Sequence, residues 1–344
     1  MGKSDFASWI LDWHRVHGRK DLPWQHKISP YRVWVSEIML QQTQVNTVIP
    51  YFNRFMAEFP DVQELANATL DKVLGYWSGL GYYARARHMH RAAVIIHTAG
   101  TFPNTLESLC ELPGVGRSTA GAILSIAFEK PAAILDGNVK RVLSRFHGVD
   151  GWPGNTSISQ KLWTLSELNT PRLHVGEYTQ GIMDLGATVC KRRQPDCKNC
   201  PLQLECYARK YDSTEKIPAP RPKKDKPSKH CYMLFLKNNQ GDIFLNKRPP
   251  VGIWSNLWCP PEFASKQEIY EWCKPFKISN YEWLATKRHT FSHFHLDYSP
   301  VVANVESYSD SVTENNQSLW QNPAKTELVG LPTPITRLLQ LISK

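Results

Sequence analysis

Apolar residues recur at helical spacing through the first two thirds of the chain. They return at intervals of three and four in 33–57, 84–97, 119–128 and 139–147, as expected for helices with one buried face. Turn signals built on proline and glycine separate these stretches, and strand patterns are nearly absent before residue 212. This part of the chain is therefore predicted to be mainly helical.

The pattern changes after residue 215. Residues 216–230, KIPAPRPKKDKPSKH, contain almost no large apolar side chains, so they cannot bury a core and are predicted to form a linker. Two apolar runs then flank the turn 238–241, which is typical of a β-hairpin. Two further strand-like runs flank 291–293, and helical pieces are predicted near 265–274 and 334–342. We predict a mainly α domain over 1–215, the linker, and an α+β domain over 231–344.

Charge indicates the class of partner. The formal net charge is +10 and the isoelectric point is about 9.1, which favours a polyanion and most simply a nucleic acid. Basic residues cluster at 191–193 and at 85–91, although either cluster alone is more often a solvated face. The chain has no secretory signal and no long apolar run, so we expect no membrane association and a cytoplasmic, nucleoid-associated location.

Four cysteines lie within seventeen residues, in the order C-x6-C-x2-C-x5-C. Zinc and a [4Fe–4S] cluster are both candidate occupants, and a set of buried structural thiols is the third possibility. Zinc sites usually pair two C-x2-C knuckles, and only one is present, so the spacing favours the cluster. The four residues are Cys190, Cys197, Cys200 and Cys206. The scattered cysteines are predicted to be small core residues, namely Cys110, Cys231, Cys259 and Cys273.

The segment LPGVG, residues 112–116, lies between two helical stretches. Gly114 and Gly116 permit positive φ angles and a close approach of another backbone. A helix that begins near Arg117 or Ser118 would point its first N–H groups at this turn, as in a phosphate-binding nest. An ordinary corner between two helices is the alternative.

Two carboxylates are candidates for chemistry. Asp136 precedes a helical stretch and is predicted to be its N-cap, a position in which backbone N–H groups keep a carboxylate ionised beside a developing sugar cation. Glu37 is predicted to share one helical face with Gln41 and Gln44. Such a polar stripe normally faces water, but amides beside a carboxyl group also suit the edge of a base, and a desolvated glutamate could donate a proton.

The segment 79–87, GLGYYARAR, places two tyrosines and two arginines at the start of a helix. Core packing is the usual role of a tyrosine. An exposed ring beside cations could instead enter a base stack.

Together, LPGVG, an aspartate twenty residues later and the cysteine run resemble the helix-hairpin-helix DNA glycosylases that carry an iron–sulfur cluster. Within that superfamily, PWQ, SEIMLQQTQV, GLGYYARAR, LPGVGRSTAGAI and LDGNVKRV resemble the MutY-type adenine DNA glycosylases, over nearly all of 1–210. RPPVGIWSNLWCPPEF and FSH are similar to the Nudix-like C-terminal domain of that family.

The resemblance implies removal of adenine mispaired with 8-oxoguanine or guanine in duplex DNA, by a monomer that extrudes the base. Glu37 would protonate the leaving adenine, Asp136 would stabilise the oxocarbenium-like sugar, and Asn138 would hold the aspartate and the water. The cofactor would be a [4Fe–4S] cluster on the four clustered cysteines.

The resemblance also implies binding residues. The segment lining the adenine pocket would be Arg19, Lys20, Leu22 and Trp24. The DNA contacts would be Gln42, Tyr82, Gly114, Gly116, Ser118 and Lys140. Phosphate contacts would also come from Lys191, Arg192 and Arg193 in the segment 190–206 that carries the four cysteines, which we call the cysteine loop. Phe291, Ser292 and His293 would read 8-oxoguanine.

Two departures from related enzymes refine the expected activity. Ser118 stands where glycosylase/lyases of the endonuclease III type carry a Schiff-base lysine, so a monofunctional hydrolase is predicted. The segment after Glu262 lacks the glutamate-rich metal helix of Nudix hydrolases, so the second domain should not hydrolyse nucleotides. The competing interpretations are a glycosylase/lyase acting on oxidised pyrimidines and a non-catalytic sensor of damaged DNA.

Overall fold

The computed structural model describes residues 5–222, 225–308, 317–323 and 329–342. The chain divides into two compact units. The first comprises Met1–Ala66 with His88–Lys223, and the second comprises Asn67–Arg87 with Lys224–Lys344. No helix among the described residues is long and apolar enough to cross a membrane.

The predicted helical character of the first two thirds is confirmed. The helices are α1 Asp5–His17, α2 Pro30–Leu40, α3 Val45–Glu58, α4 Val62–Asn67, α5 Leu70–Trp77, α6 Ala84–Ala99, α7 Leu106–Cys110, α8 Arg117–Phe128, α9 Gly137–His147, α10 Thr156–Asn169, α11 Val175–Asp184 and α12 Tyr207–Lys210.

The prediction of continuous helical spacing over 33–57 was wrong in one respect. Helix α2 ends at Leu40, and the chain turns through Gln42, whose φ of 58° lies in the left-handed region. Gln44 is the N-cap of α3 and does not share a helical face with Glu37. Neither glycine nor proline marks this break, so the spacing of apolar residues gave no sign of it.

The core of the first unit forms where α2 packs against α3 and α8. Trp34, Phe52 and Phe55 are fully buried there. Gly121 in α8 allows close packing, since a Cβ at that position would lie 2.3 Å from the carbonyl oxygen of Ala133. This contact brings the segment that precedes α9 against α8.

The second unit is built on one mixed sheet. Its strands are β1 Ser228–Lys237, β2 Ile243–Lys247, β3 Trp258–Cys259, β4 Glu262–Phe263, β5 Phe276–Trp283, β6 Lys287–Thr290, β7 His295–Tyr308 and β8 Ser318–Gln321. The order is β3-β2-β1-β7-β5, with β4 on β1, β6 on β7 and β8 on β2. Strands β1 and β7 are parallel, and the other pairs are antiparallel.

The predicted elements of this unit are found. The β1–β2 hairpin turns at Asn238–Gly241, β6 and β7 flank 291–293, and the helices are α13 Lys266–Cys273 and α14 Thr333–Ile342. Strand β1 begins inside the segment predicted as linker, because Ser228 and Lys229 pair with β7. Residues 223 and 224 of that segment lie outside the described residues.

The core prediction for the scattered cysteines holds for two of the four. Cys259 and Cys273 are buried and Cys231 is half-buried, but Cys110 is exposed. The prediction failed for Cys110 because it ends the five-residue helix α7, of which only Leu109 is buried.

Residues 67–87 pack within the second unit although they come early in the chain. Lys247 forms a salt bridge with Asp71 at 2.8 Å. The Tyr83 hydroxyl donates to the carbonyl oxygen of Leu331 at 2.7 Å, and Arg87 Nη1 donates to that of Ser255 at 3.0 Å. The loop that carries Tyr82 is therefore held by residues from the far end of the chain.

Candidate active site

A cavity of about 780 Å³ opens in the first unit between α2, the turn after it, α8, α9 and α11. Ten of the residues singled out in the sequence line it together, including Gln41 and Gln44; the other eight were assigned to catalysis or binding. These eight are Arg19, Leu22, Trp24, Glu37, Gln42, Ser118, Asp136 and Asn138.

Glu37 reaches the cavity from α2, where its neighbours Ser36 and Ile38 are buried. Burial raises the pKa of its carboxyl group to about 8, and repulsion from Asp136 adds to the shift. The carboxyl group of Glu37 forms no hydrogen bond with any residue that the structure describes. It is therefore the member of this pair that keeps a proton near neutral pH.

Asp136 is the N-cap of α9, as predicted. Its Oδ1 accepts from the backbone N–H of Val139 at 2.8 Å, and its Oδ2 accepts from Asn138 Nδ2 at 3.3 Å. Burial raises the pKa of this carboxyl group, while these hydrogen bonds and the charge of Arg141 oppose the rise. The surroundings of Asp136 thus favour the anion far more than those of Glu37 do.

Asn138 is held in turn by Arg141. Its Oδ1 accepts from Arg141 Nη2 at 2.9 Å, and the same guanidinium group donates to the carbonyl oxygens of Cys190 and Gly186, each at 2.7 Å. A π-helical turn over Leu185–Val189 makes this possible. A Cβ at Gly186 would lie 2.6 Å from the Cβ of Asn138, so only glycine allows the turn to approach so closely.

The hairpin LPGVG leads into α8. The N–H of Val115 donates to the carbonyl oxygen of Leu112, and Gly114 has a φ of 79°. Gly116 caps α8, and a Cβ there would contact nothing within 4 Å. The first N–H groups of a helix have no partner within it, so this end of α8 is suited to an anion.

Ser118 connects α8 to the segment that carries Asp136. Its hydroxyl accepts a hydrogen bond from the backbone N–H of Leu135 at 2.9 Å. The side chain therefore supports the residue next to Asp136.

One wall of the cavity is fixed by a buried carboxylate. Asp184, only 1% exposed, accepts from the backbone N–H of Arg19 at 2.8 Å and from its Nε at 3.0 Å. Gln25 donates to the carbonyl oxygen of Arg19, and its Oε1 accepts from the N–H of Leu22. Trp24 packs edge-on against Phe52 with ring centroids 5.5 Å apart.

Sequence reasoning missed the wall that α11 provides. Gln180, Met183 and Asp184 of α11 line the cavity together with Ala187 of the following turn. Their spacings of three and four were a detectable signal. Four of the predicted binding residues do not line this cavity, namely Lys20, Gly114, Gly116 and Lys140. The Lys20 amine instead donates to the carbonyl oxygen of Arg15.

The four clustered cysteines surround a second, small cavity. Arg145 supports it by donating to the carbonyl oxygens of Lys191 and Arg192, and its Nη1 lies 3.4 Å from Cys190 Sγ. Burial raises the pKa of the Cys200 thiol to about 12, although a backbone hydrogen bond from Leu202 opposes the rise. Within the described residues, no group of three His, Cys, Asp or Glu side chains is arranged to hold a single metal ion.

Phe291, Ser292, His293 and Tyr82 belong to the second unit. Ser292 and His293 are exposed at the tip of the β6–β7 loop, which the N–H of Phe291 closes by donating to the carbonyl oxygen of Phe294. The rings of Phe291 and Trp254 lie 5.4 Å apart. Tyr82 is 55% exposed with a φ of 50°, and the Arg85 guanidinium lies 5.3 Å from its ring.

Known proteins resemble each part of the chain. Residues 35–167 match the HhH-GPD superfamily of base excision DNA repair proteins, and residues 232–341 match the NUDIX domain. Among solved structures, a thermostable thymine-DNA glycosylase aligns with a TM-score of 0.54 and 26% identity, covering 61% of this chain and 97% of that one. Endonuclease III in a non-covalent DNA complex gives 0.51 at 21% identity, covering 62% and 98%, which supports the fold alone.

Similarity to adenine DNA glycosylases extends over the whole chain. The protein of that name from Buchnera aphidicola subsp. Acyrthosiphon pisum is 40% identical over 348 residues, covering 100% of this chain and 99% of the relative. The human protein is 31% identical, covering 98% of this chain and 73% of the relative. The chain therefore belongs to the adenine DNA glycosylase family, with a helical HhH-GPD domain followed by a Nudix-like α+β domain.

Proposed function

We propose that this protein hydrolyses the N-glycosidic bond of adenine mispaired with 8-oxoguanine or guanine in duplex DNA, without cleaving the strand. Its family consists of hydrolases that act on N-glycosyl bonds in base excision repair. The observation that carries the mechanism is the pair of carboxyl groups in one cavity, of which Asp136 has hydrogen-bond donors and Glu37 has none among the described residues.

Glu37 is the general acid in this proposal. An extruded adenine in the cavity would accept its proton at N7 as the C1′–N9 bond breaks, and the bonding electrons would leave with the base. Extrusion costs a few kcal/mol, and a positioned acid typically contributes about 10²–10⁴-fold in rate. A pKa of about 8 keeps this group protonated at neutral pH.

Asp136 stabilises the positive charge that develops on the sugar. Its position at the start of α9 fixes the carboxylate, and Asn138 connects it to Arg141. Water then adds to C1′ of the sugar and releases its proton to a carboxylate, which completes the hydrolysis. Asn138 is placed beside Asp136 to hold that water.

Arg19, Lys20, Leu22 and Trp24 belong to the segment assigned to the adenine pocket, and the cavity adds Gln180. The Gln180 side chain is held by Gln25 Nε2, which lies 3.3 Å from Gln180 Oε1. An amide at this wall can both donate to and accept from the edge of a base.

DNA contacts would come from both units. The backbone around Gly114 and Gly116 would bind phosphate, Ser118 and Lys140 would lie along the same strand, and Gln42 and Tyr82 would fill space beside the lesion. Phe291, Ser292 and His293 would read 8-oxoguanine. The expected partner is duplex DNA bound by one monomer, with phosphate contacts from Lys191, Arg192 and Arg193.

The clustered cysteines fit a [4Fe–4S] cluster. Four sulfurs line one cavity, with an arginine and backbone N–H groups around them to offset negative charge. Cys190, Cys197, Cys200 and Cys206 would hold it, and the cluster would fix the loop that carries the basic residues. Purified protein should be yellow-brown from iron–sulfur charge transfer, whereas a zinc protein would be colourless.

The decisive experiment compares wild-type protein with Glu37→Gln on a duplex carrying adenine opposite 8-oxoguanine. Wild-type protein should release adenine in a single turnover, and Glu37→Gln should lose about 10²-fold or more of that rate while still binding the duplex. Glu64→Gln removes an exposed glutamate of α4 and should leave the rate unchanged. No adenine release by wild-type protein would indicate a non-catalytic sensor.

The same duplex tests for strand cleavage. A hydroxyl at Ser118 cannot form an imine with the abasic sugar, so wild-type protein should leave an intact abasic strand. Efficient β-elimination that persists in Lys140→Ala would contradict this and would favour a glycosylase/lyase.

A further inference from the structure

A second large cavity in the first unit, which we call the basic groove, is not explained by the catalytic chemistry. It has a volume of about 960 Å³ and lies between the start of α9, the cysteine loop and the segment 215–221. Its polar and aromatic lining includes Lys140, Trp152, Arg192, Arg193, Glu215 and Arg221.

The charge of the basic groove is unbalanced. Lys140, Arg192, Arg193 and Arg221 form no salt bridge with any described residue, and Glu215 is the single carboxylate among the lining residues of the groove. Arg192, Arg193 and Arg221 are exposed. Arg141 and Arg145 line the groove as well, and this excess of cations produces a positive potential that attracts an anionic occupant.

The basic groove adjoins the catalytic cavity. Gly137, the residue after Asp136, lines both of them. A Cβ at Gly137 would meet nothing within 4 Å, so the passage beside it is open. Backbone charges along one DNA strand are about 3.4 Å apart along the helix axis, and a strand that places one nucleotide beside Asp136 must place its next phosphates nearby.

Arg221 and Trp152 are lining residues of the groove from outside the cysteine loop. The Arg221 guanidinium lies 5.8 Å from the centre of the Trp152 ring. Gly154 packs against that ring, since a Cβ there would lie 2.2 Å from it, and this contact fixes the tryptophan. A guanidinium stacked on an aromatic ring keeps its edge N–H groups free to bind a phosphate through two hydrogen bonds.

We propose that the basic groove binds the backbone phosphates of the strand that carries the extruded nucleotide, on one side of that nucleotide only. Lys140 and Arg221 contact phosphate there together with Arg192 and Arg193, and Trp152 positions Arg221. This proposal rests on the proposed function and extends it, because it assigns the flank of the substrate to a segment outside both the hairpin and the cysteine loop.

The test measures how binding depends on salt. The probe is a duplex with a non-hydrolysable adenosine analogue opposite 8-oxoguanine, and the variants are Arg221→Gln and the double variant Lys140→Gln/Arg221→Gln. Each lost phosphate contact lowers the slope of log K against log salt by about 0.9, so the expected losses are about 0.9 and twice that. The control is Arg172→Gln, an exposed arginine in the loop before α11 that is not a lining residue of the basic groove.

Shortened duplexes identify the flank. The slope deficit of Arg221→Gln should persist when the DNA is cut back on one side of the extruded nucleotide and disappear when it is cut back on the other. A slope for Arg221→Gln equal to that of Arg172→Gln would overturn the proposal, as would a deficit that survives both truncations. If a polyglutamate peptide binds wild-type protein but not Arg221→Gln while the DNA slopes agree, the occupant is an acidic protein and the proposal is wrong.

Binding and excision report on different claims. If wild-type protein binds the probe but releases no adenine from the hydrolysable adenine:8-oxoguanine duplex, the proposed function is refuted, whatever the slopes are. A wild-type protein that releases adenine normally, with unchanged slopes in the variants, refutes only the basic groove. Arg221 is exposed, so its replacement should leave the thermal midpoint and the visible absorption unchanged.

Discussion

Two carboxyl groups face one cavity, and their different surroundings decide which of them keeps a proton. Asp136 has donors from its own helix terminus and from Asn138. Glu37 has burial without donors among the described residues, and its pKa rises to about 8. Surroundings that separate the pKa values of two carboxyl groups in this way agree with the roles proposed for Glu37 as the acid and Asp136 as the anion.

This assignment predicts a pH-dependent cost in stability. Between pH 4.5 and about 8 the unfolded chain ionises Glu37 while the folded protein keeps the proton, so the folded state binds more protons and its stability falls as pH rises. The glutamine of the Glu37→Gln variant does not ionise, so its contribution to stability does not change over this pH range. The thermal midpoint of Glu37→Gln minus that of wild-type protein should therefore increase from pH 5 to pH 8.

Calorimetry across that range checks the prediction. The exposed variant Glu64→Gln serves as the control and should differ from wild-type protein by a constant amount. A constant difference for Glu37→Gln as well would mean that the carboxyl group ionises in the folded protein as it does in water.

The role of Asp136 as a cap could be read from the sequence, because a cap depends on residues within one helical turn. The pKa of Glu37 could not. It depends on the side chains that close over α2 from α8, α9 and α11, and no local pattern contains that information.

Among the elements, the π-helical turn before Cys190 has the most specific role. It carries Gly186 against Asn138, and the carbonyl oxygen of Gly186 accepts from Arg141. Such turns are uncommon and occur frequently at functional sites. Here the turn connects the cysteine loop to the residue that holds Asp136.

Gly186→Ala should therefore impair catalysis. The added Cβ would lie 2.6 Å from the Cβ of Asn138 and 3.1 Å from its Cα, so α9 or the turn must shift. A displacement of about 1 Å at a reacting group can cost about 10²-fold in rate, which single-turnover excision would measure.

Thr188→Ala is the matched control in the same turn, because it removes only a hydrogen bond to the carbonyl oxygen of Asp184. Its rate should stay within a few-fold of the wild-type rate. An unchanged rate for Gly186→Ala would show that the close contact with Asn138 is not required.

Elements with periodic patterns were predictable, whereas the breaks between them were less so. The β1–β2 hairpin was predicted from two apolar runs on either side of a turn, and α13 was expected near 265–274. The end of α2 was not predicted, since Gln42 takes a left-handed conformation that no residue type in the sequence indicates. Non-glycine residues adopt that region at a cost, and surrounding structure must hold them there.

At the scale of the whole molecule, the second unit recruits residues 67–87 from the first quarter of the chain. Sequence patterns do not show that residues 67–87 pack with residues far along the chain, because α5 has the amphipathic spacing of any surface helix. Deleting 231–344 would also remove the partners of Asp71, Tyr83 and Arg87. Point variants at Phe291 or His293 are therefore the cleaner test of 8-oxoguanine reading.

Tyr83→Phe tests this recruitment. The Tyr83 hydroxyl donates to the carbonyl oxygen of Leu331 at 2.7 Å and accepts from the N–H of Gly79 at 3.3 Å. Tyr83 is 7% exposed. The Leu331 carbonyl oxygen also accepts from Ser78 Oγ at 3.1 Å, and Gly79 is exposed. The expected loss is therefore that of a net hydrogen bond, about 0.5–1.5 kcal/mol in the free energy of unfolding.

Urea unfolding measures this loss. Tyr211→Phe, at a ring that is 58% exposed, is the control and should change the free energy little. A loss for Tyr83→Phe no larger than that of the control would show that the contact with Leu331 does not stabilise the loop.

The contact between Tyr83 and Leu331 also constrains the order of assembly during translation. Ribosomes add roughly 5–20 residues per second, so the partner of Tyr83 emerges roughly ten to fifty seconds after the tyrosine itself. Over that interval the nascent chain can close its first unit only by looping out the segment around Tyr82. Tyr82, which is assigned to fill space beside the lesion, thus gains this part of its support only after residue 331 has been synthesised.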